Sequence, residues 1–119
     1  MRHQPHPDVT CDDVERIVRR DFPAGDFNTV MAVLRQYGVE TWHRECARVQ
    51  LAALKLANGD AHRLQKAVDL ARTDYRDVLA PAEYPGYSKR GFRTRELPAK
   101  EQETIIDSDW EQYERWLRK

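Results

Sequence analysis

The chain has 119 residues, 40% hydrophobic and 34% charged, which is enough for one core but not two. Its 20 basic and 20 acidic side chains cancel, so no global field steers it toward nucleic acid or an anionic membrane, and any such role must rest on a local patch. No apolar run approaches the ~18–20 residues that span a bilayer, and the first residues lack a signal peptide's apolar stretch; a cytoplasmic location is expected.

Residues 1–9 carry Pro5 and Pro7 without periodicity and read as a flexible leader. Residues 10–119 read as a single helical domain. Thr10 is placed to cap a first helix, with Asp12 and Asp13 near the positive end of its dipole. Cys11, Val14, Ile17 and Val18 form its stripe, and Phe22-Pro23 stops it. Asp26 is the next cap candidate. Phe27, Val30, Met31, Leu34 and Tyr37 follow at helical spacing until Gly38.

Glu40 to Asn58 reads as the longest helix and the centre of the fold. Trp42, Cys46, Val49, Ala53 and Leu56 trace one stripe, which Ala47, Leu51 and Leu54 widen. At Asn58-Gly59-Asp60 the pattern restarts. Gly59 supplies the left-handed backbone that closes one helix, and Asp60 caps the next, giving an αα-hairpin. Leu64, Ala67, Val68 and Ala71 carry that fourth helix. Asp74 is the cap candidate for a short fifth helix bearing Tyr75, Asp77, Val78 and Leu79, limited by Pro81.

From Pro85 to Lys100 the pattern breaks, and residues 85–106 are expected to be largely irregular or partly helical. Lys89, Arg90, Arg93, Arg95 and Lys100 face a single acid there, Glu96. Residues 101–119 then turn acidic. Ser108 with Glu111 makes a capping box, and Trp110, Tyr113, Trp116 and Leu117 form an aromatic stripe on a C-terminal helix. Such a stripe has to be covered, because each large apolar side chain left in water forgoes ~1.5–3 kcal/mol. Its own core or a partner supplies the cover, and a partly intermolecular contact is the preferred reading.

Three constellations bear on chemistry. Tyr84, Tyr87 and Phe92 interleave with Lys89, Arg90, Arg93 and Arg95, the composition of a stacking-plus-phosphate surface; the plainer reading pairs those bases with neighbouring acids. Asp74, Tyr75, Arg76, Asp77, Glu83 and Tyr84 offer acid–base groups, but no nearby histidine or nucleophile completes a catalytic set, and helix capping explains the acids. His43 and Cys46 are three apart on one helix, which is two ligands at most. Cys11 and Cys46 follow no metal or redox spacing. They are expected to be buried free thiols, with Cys46 the less reactive.

The segment Arg48 to Pro85, with its Leu-Ala-Ala-Leu-Lys-Leu-Ala-Asn-Gly-Asp and Asp-Tyr-Arg-Asp-Val-Leu-Ala-Pro-Ala-Glu-Tyr-Pro runs, resembles a group of small bacterial helical proteins. The resemblance covers about a third of the chain and implies a bacterial, cytoplasmic setting. It implies no activity.

Together these features predict an all-α bundle of five to six helices around residues 40–58, with an irregular basic loop before a C-terminal helix. The leading functional expectation is a non-enzymatic protein–protein interaction module of adaptor or immunity/inhibitor type, binding a protein partner or a second copy. Its contact surface would use Tyr84, Tyr87, Arg90, Phe92, Trp110 and Trp116. Nucleic-acid binding through residues 84–95 is the alternative, and a small enzyme using Asp74, Asp77 and Glu83 the third reading. No cofactor, metal or membrane partner is expected.

Overall fold

The computed structural model describes residues 7–40, 45–90 and 96–119, with Arg90 described by its backbone alone. The fold is all-α. Among the described residues seven α-helices follow in order: α1 (Cys11–Asp21), α2 (Phe27–Leu34), α3 (Cys46–Ala57), α4 (Ala61–Thr73), α5 (Arg76–Glu83), α6 (Pro85–Arg90) and α7 (Ala99–Arg118), with a 3₁₀ turn at Ala24–Asp26 before α2.

The helices begin and end for local chemical reasons. At the start of α1 the Asp13 carboxylate accepts the Thr10 N–H at 3.0 Å, and the acids of the first turn and Arg19 and Arg20 in the last both suit the helix dipole. At the α3–α4 turn, Asn58 and Gly59 both take positive φ, +49° and +81°. The Asp60 Oδ1 then accepts the Arg63 N–H at 3.0 Å, as the sequence predicts. Gly59 has a second constraint: a β-carbon there would stand 3.2 Å from the Asp21 carbonyl oxygen at the end of α1.

α3 is the hub. It packs against α1, α4 and α5, and Val49, Leu51, Ala52, Ala53, Leu54 and Ala57 are buried along it. Its alanines leave room for neighbours on several sides at once. The core is completed by Val14, Ile17 and Val18 of α1, Val30, Met31 and Leu34 of α2, Leu64, Val68 and Ala71 of α4, Val78 and Leu79 of α5, and Tyr113 and Leu117 of α7.

Helix ends buried in this packing are closed by side chains from other helices. Gln50 of α3 donates to the Leu34 and Tyr37 carbonyls after α2, both at 3.1 Å. Arg20 of α1 donates to the Trp116 carbonyl near the end of α7 at 2.6 Å, and its guanidinium lies 5.3 Å from the Trp116 ring centre. The Leu34 and Trp116 carbonyls lie in the last turns of their helices, where such groups lack intrahelical partners.

Several expectations are corrected. α3 begins at Cys46, after Glu45 in a left-handed conformation (φ +49°); Trp42 and His43 lie outside the described residues. Asp26 occupies the N-cap position of α2 without a side-chain capping bond. Asp74 does cap the turn that opens α5: extended itself, it accepts the Arg76 N–H through Oδ1 at 3.0 Å, with Tyr75 already helical.

Residues 85–106, expected to be largely irregular or partly helical, contain helix on both sides of residues 91–95, which lie outside the described residues. Pro85–Arg90 is helical, and α7 begins at Ala99, so Ser108 lies within a helix and caps nothing. Pro98 marks the real start, since a proline just before a helix forfeits no helical hydrogen bond. The cysteines also differ from expectation, with Cys11 exposed and Cys46 half-buried; both are free. Of the expected leader, residues 1–6 lie outside the described residues, while Pro7 is buried and Val9 packs on the core.

Candidate functional site

The most concentrated chemistry lies where α3, α5, α6 and α7 meet. Arg48 sits at the first turn of α3 and Glu83 at the last of α5, with only 8% and 2% of their surfaces exposed. Arg48 Nε donates to Glu83 Oε2 at 2.8 Å and Nη2 to Oε1 at 2.6 Å, a bidentate fork. Arg48 Nη1 reaches the more exposed Glu45 carboxylate at 2.8 Å. Burial alone would ease loss of the Arg48 proton, but the Glu83 hydrogen bond and charge outweigh it, and the guanidinium is held more firmly charged.

Two tyrosines border this pair. Tyr84, 8% exposed, follows Glu83 directly; burial, then the Glu83 charge, push its hydroxyl up to about 12, and Arg48 opposes. Tyr113 of α7 is fully buried, and the same two causes push its hydroxyl above the ordinary range. Among the described residues no group hydrogen-bonds the Tyr113 hydroxyl. A cleft of about 330 Å³, lined by Pro7–Val9 and Glu45–Arg48, opens beside the pair.

A second polar contact lies at the α5–α6 junction. Asp109 of α7, 4% exposed, accepts the Gly86 N–H at 2.8 Å through Oδ1 and the Tyr87 N–H at 2.9 Å through Oδ2. The carboxylate thus caps a helix to which it does not belong. Lys55, two turns beyond Arg48 on α3, feels the Asp109 charge, but desolvation outweighs it and holds the ammonium below its usual range.

This chemistry ties helices together. Both carboxylate oxygens of Glu83 accept from the Arg48 guanidinium, and the pair is buried between α3 and α5. The carboxylates of the third sequence reading are placed as follows: Asp74 pairs with Arg76, Asp77 is exposed in the first turn of α5, and Glu83 is buried at the opposite end of that helix. Among the described residues no group of three or more His, Cys, Asp and Glu is arranged to hold a metal ion, and no helix is long and apolar enough to cross a membrane.

The predicted contact residues are divided by the fold. Tyr84 is buried and leaves the surface set. Tyr87, Trp110 and Trp116 are partly exposed. Trp116 lies against the core, with its ring centre 5.6 Å from that of Tyr113, and Trp110 stacks on the other side of Tyr113 at 6.4 Å. Six residues of helix put Trp110 and Trp116 about 120° apart around α7, so they flank the buried line instead of forming one face. The Arg90 side chain, Phe92, Arg93 and Arg95 lie outside the described residues, while Lys89 and Lys100 are exposed.

Sequence reasoning named Glu83 and Tyr84 but passed over Arg48, Asp109 and Gln112. A signal existed for the first two. Arg48 shares a helical face with Leu51 and Ala52, and Asp109 one with Ile106 and Tyr113; a charge on an apolar face has to be paired when buried. Compared with known proteins, the chain matches no family model, no curated protein and no solved structure.

Proposed function

We propose that the chain is a non-enzymatic protein–protein interaction module of adaptor or immunity/inhibitor type, working in the bacterial cytoplasm, as the Arg48–Pro85 resemblance implies. Its contact surface is centred on Tyr87 and Trp110. One observation carries the reading: after the core has closed, these two aromatic side chains remain partly exposed on the two helices joined by the Asp109 contact. Aromatics held at the surface by rigid elements are the usual anchors of interfaces. A shallow groove of about 240 Å³ formed by Leu97, Glu101, Thr104 and Ile105 lies on the same helix as Trp110.

The test is retention of a partner from cells of the source organism by the full chain and by Tyr87→Ala and Trp110→Ala. A protein held by the wild type and lost from both variants, with their helical content and melting temperature unchanged, supports the reading. Equal retention by all three rejects it. Retention of nucleic acid that falls steeply with salt rejects it in favour of the basic segment. Light scattering on the purified chain identifies a second copy as the partner if the mass doubles and both variants restore the monomer.

A further inference from the structure

Among the described residues Val39 and Leu70 are the large apolar side chains left exposed, and Leu70, at 43%, lies on α4. The exposed charges Asp60, Arg63 and Lys66 lead up to it along one side of that helix, at spacings of three, three and four. Asp69, next to Leu70, is held by the Gln65 amide at 3.0 Å, and among the described residues neither Arg63 nor Lys66 forms an ion pair. One side of α7 carries Lys100, Glu103 and Asp107 ahead of the partly exposed Trp110, at spacings of three, four and three. Sign for sign the two runs are opposite, minus, plus, plus on α4 against plus, minus, minus on α7. Each ends in an apolar side chain at the surface.

We propose that this face of α4 docks on the α7 face of a second copy, with the two helices parallel and Leu70 against Trp110. At a helical rise of about 1.5 Å per residue, Asp60 and Lys100 both lie about 15 Å before the apolar contact, and Arg63 and Glu103 both about 10 Å. The register that joins Leu70 to Trp110 therefore brings both opposite-charge pairs together. Lys66 and Asp107 fall about 6 Å and about 4.5 Å before the contact, a difference that a flexible lysine spans. Past the contact Asp74 comes near Glu114, but each already holds an arginine, Arg76 at 3.0 Å and Arg118 at 2.8 Å. Reversing one helix would instead set Arg63 beside Arg118 and Asp74 beside Asp107, and like charges in contact select against that orientation. The contact joins unlike faces, so each copy has one of each to offer. The inference rests on the reading of Trp110 as a contact residue and names a second copy as what it meets.

Sedimentation of the purified full chain over a range of concentrations tests it, and the wild-type mass is expected to rise above that of the monomer. Arg63→Glu with Lys66→Glu makes both faces acidic, and Glu103→Lys with Asp107→Lys makes both basic, so each double variant alone should lose the association. Mixed one to one, the two variants present opposite faces at every contact, and the wild-type mass should return. A wild type that stays monomeric overturns the proposal, and that measurement stands even if a variant does not fold. An association that Trp110→Ala or either double variant leaves unchanged overturns it as well, as does a mixture that stays monomeric while both variants keep the wild-type helical content. A monomeric wild type whose Trp110→Ala variant still loses a protein from cells removes the second copy and leaves the interaction reading standing.

Discussion

The Asp109 carboxylate and the α-carbon of Gly86 are fitted to one another: Oδ1 accepts the Gly86 N–H at 2.8 Å, and the same oxygen stands 2.8 Å from where a β-carbon on Gly86 would lie. Gly86 is required here for space and not for a special dihedral. A Gly→Ala change in a helix ordinarily stabilises by up to ~1 kcal/mol. Here overpacking of ~1–3 kcal/mol against a buried side chain fixed by two bonds should exceed that gain. Gly86→Ala is therefore expected to lower the urea midpoint, and Gly25→Ala, with open space around its β-carbon position, to leave it nearly unchanged. Equal midpoints for the two variants would contradict the fit.

The Arg48–Glu83 pair joins the first turn of α3 to the last turn of α5. Removing one member leaves the other charged and buried, which costs about 3–5 kcal/mol, whereas replacing both with apolar groups of similar volume is close to neutral. Arg48→Met and Glu83→Leu alone should each destabilise by about that amount, and the double variant should recover most of it, since Glu45 already lies partly in water. Denaturant unfolding of the four proteins gives the coupling energy directly. Additive losses would mean that the pair acts as two separate packing units.

Tyr113 contributes through its ring. Its hydroxyl, without a hydrogen-bond partner among the described residues, gives the fold little, so Tyr113→Phe should change stability by less than ~1 kcal/mol in either direction. Tyr113→Ala removes the ring between Trp110 and Trp116 and should cost about 3–5 kcal/mol. A large loss in the Phe variant would show that the hydroxyl holds a bond essential to the fold.

Alkaline pH tests both tyrosines. Burial favours their neutral forms, with Tyr84 pushed up to about 12 and Tyr113 also raised. The unfolded chain releases these protons near the ordinary value of about 10, so the folded state binds more protons above it. The stability they contribute is fully present below pH ~10 and is lost as pH rises through the folded values. The melting temperature should hold steady up to pH ~10 and then fall, with tyrosinate absorbance appearing together with unfolding for these residues. Tyr113→Phe should make the decline shallower, and a decline of the same slope would remove Tyr113 from the account.

The amino-acid sequence alone settled much that depends on neighbours along the chain, though not the caps expected at Asp26 and Ser108. The helical class, the stripes of α1, α2 and α4, and the turn at Asn58-Gly59-Asp60 were legible because a stripe, a left-handed glycine and a side-chain cap are each fixed within about one helical turn. The Asp60 cap is made by a residue three positions away, which is why it could be read. Only the tertiary structure decided α6 and the start of α7. With six residues, α6 is too short to hold itself, and it is completed by Asp109, 23 positions along the chain from Gly86. The same holds for Arg48, whose partner is 35 residues distant, and for Tyr84, whose composition suits a surface but which the bundle buries. A short helix, a buried charge and an inward tyrosine are each stable only in the company of groups that the chain brings together by folding, so no local pattern could announce them.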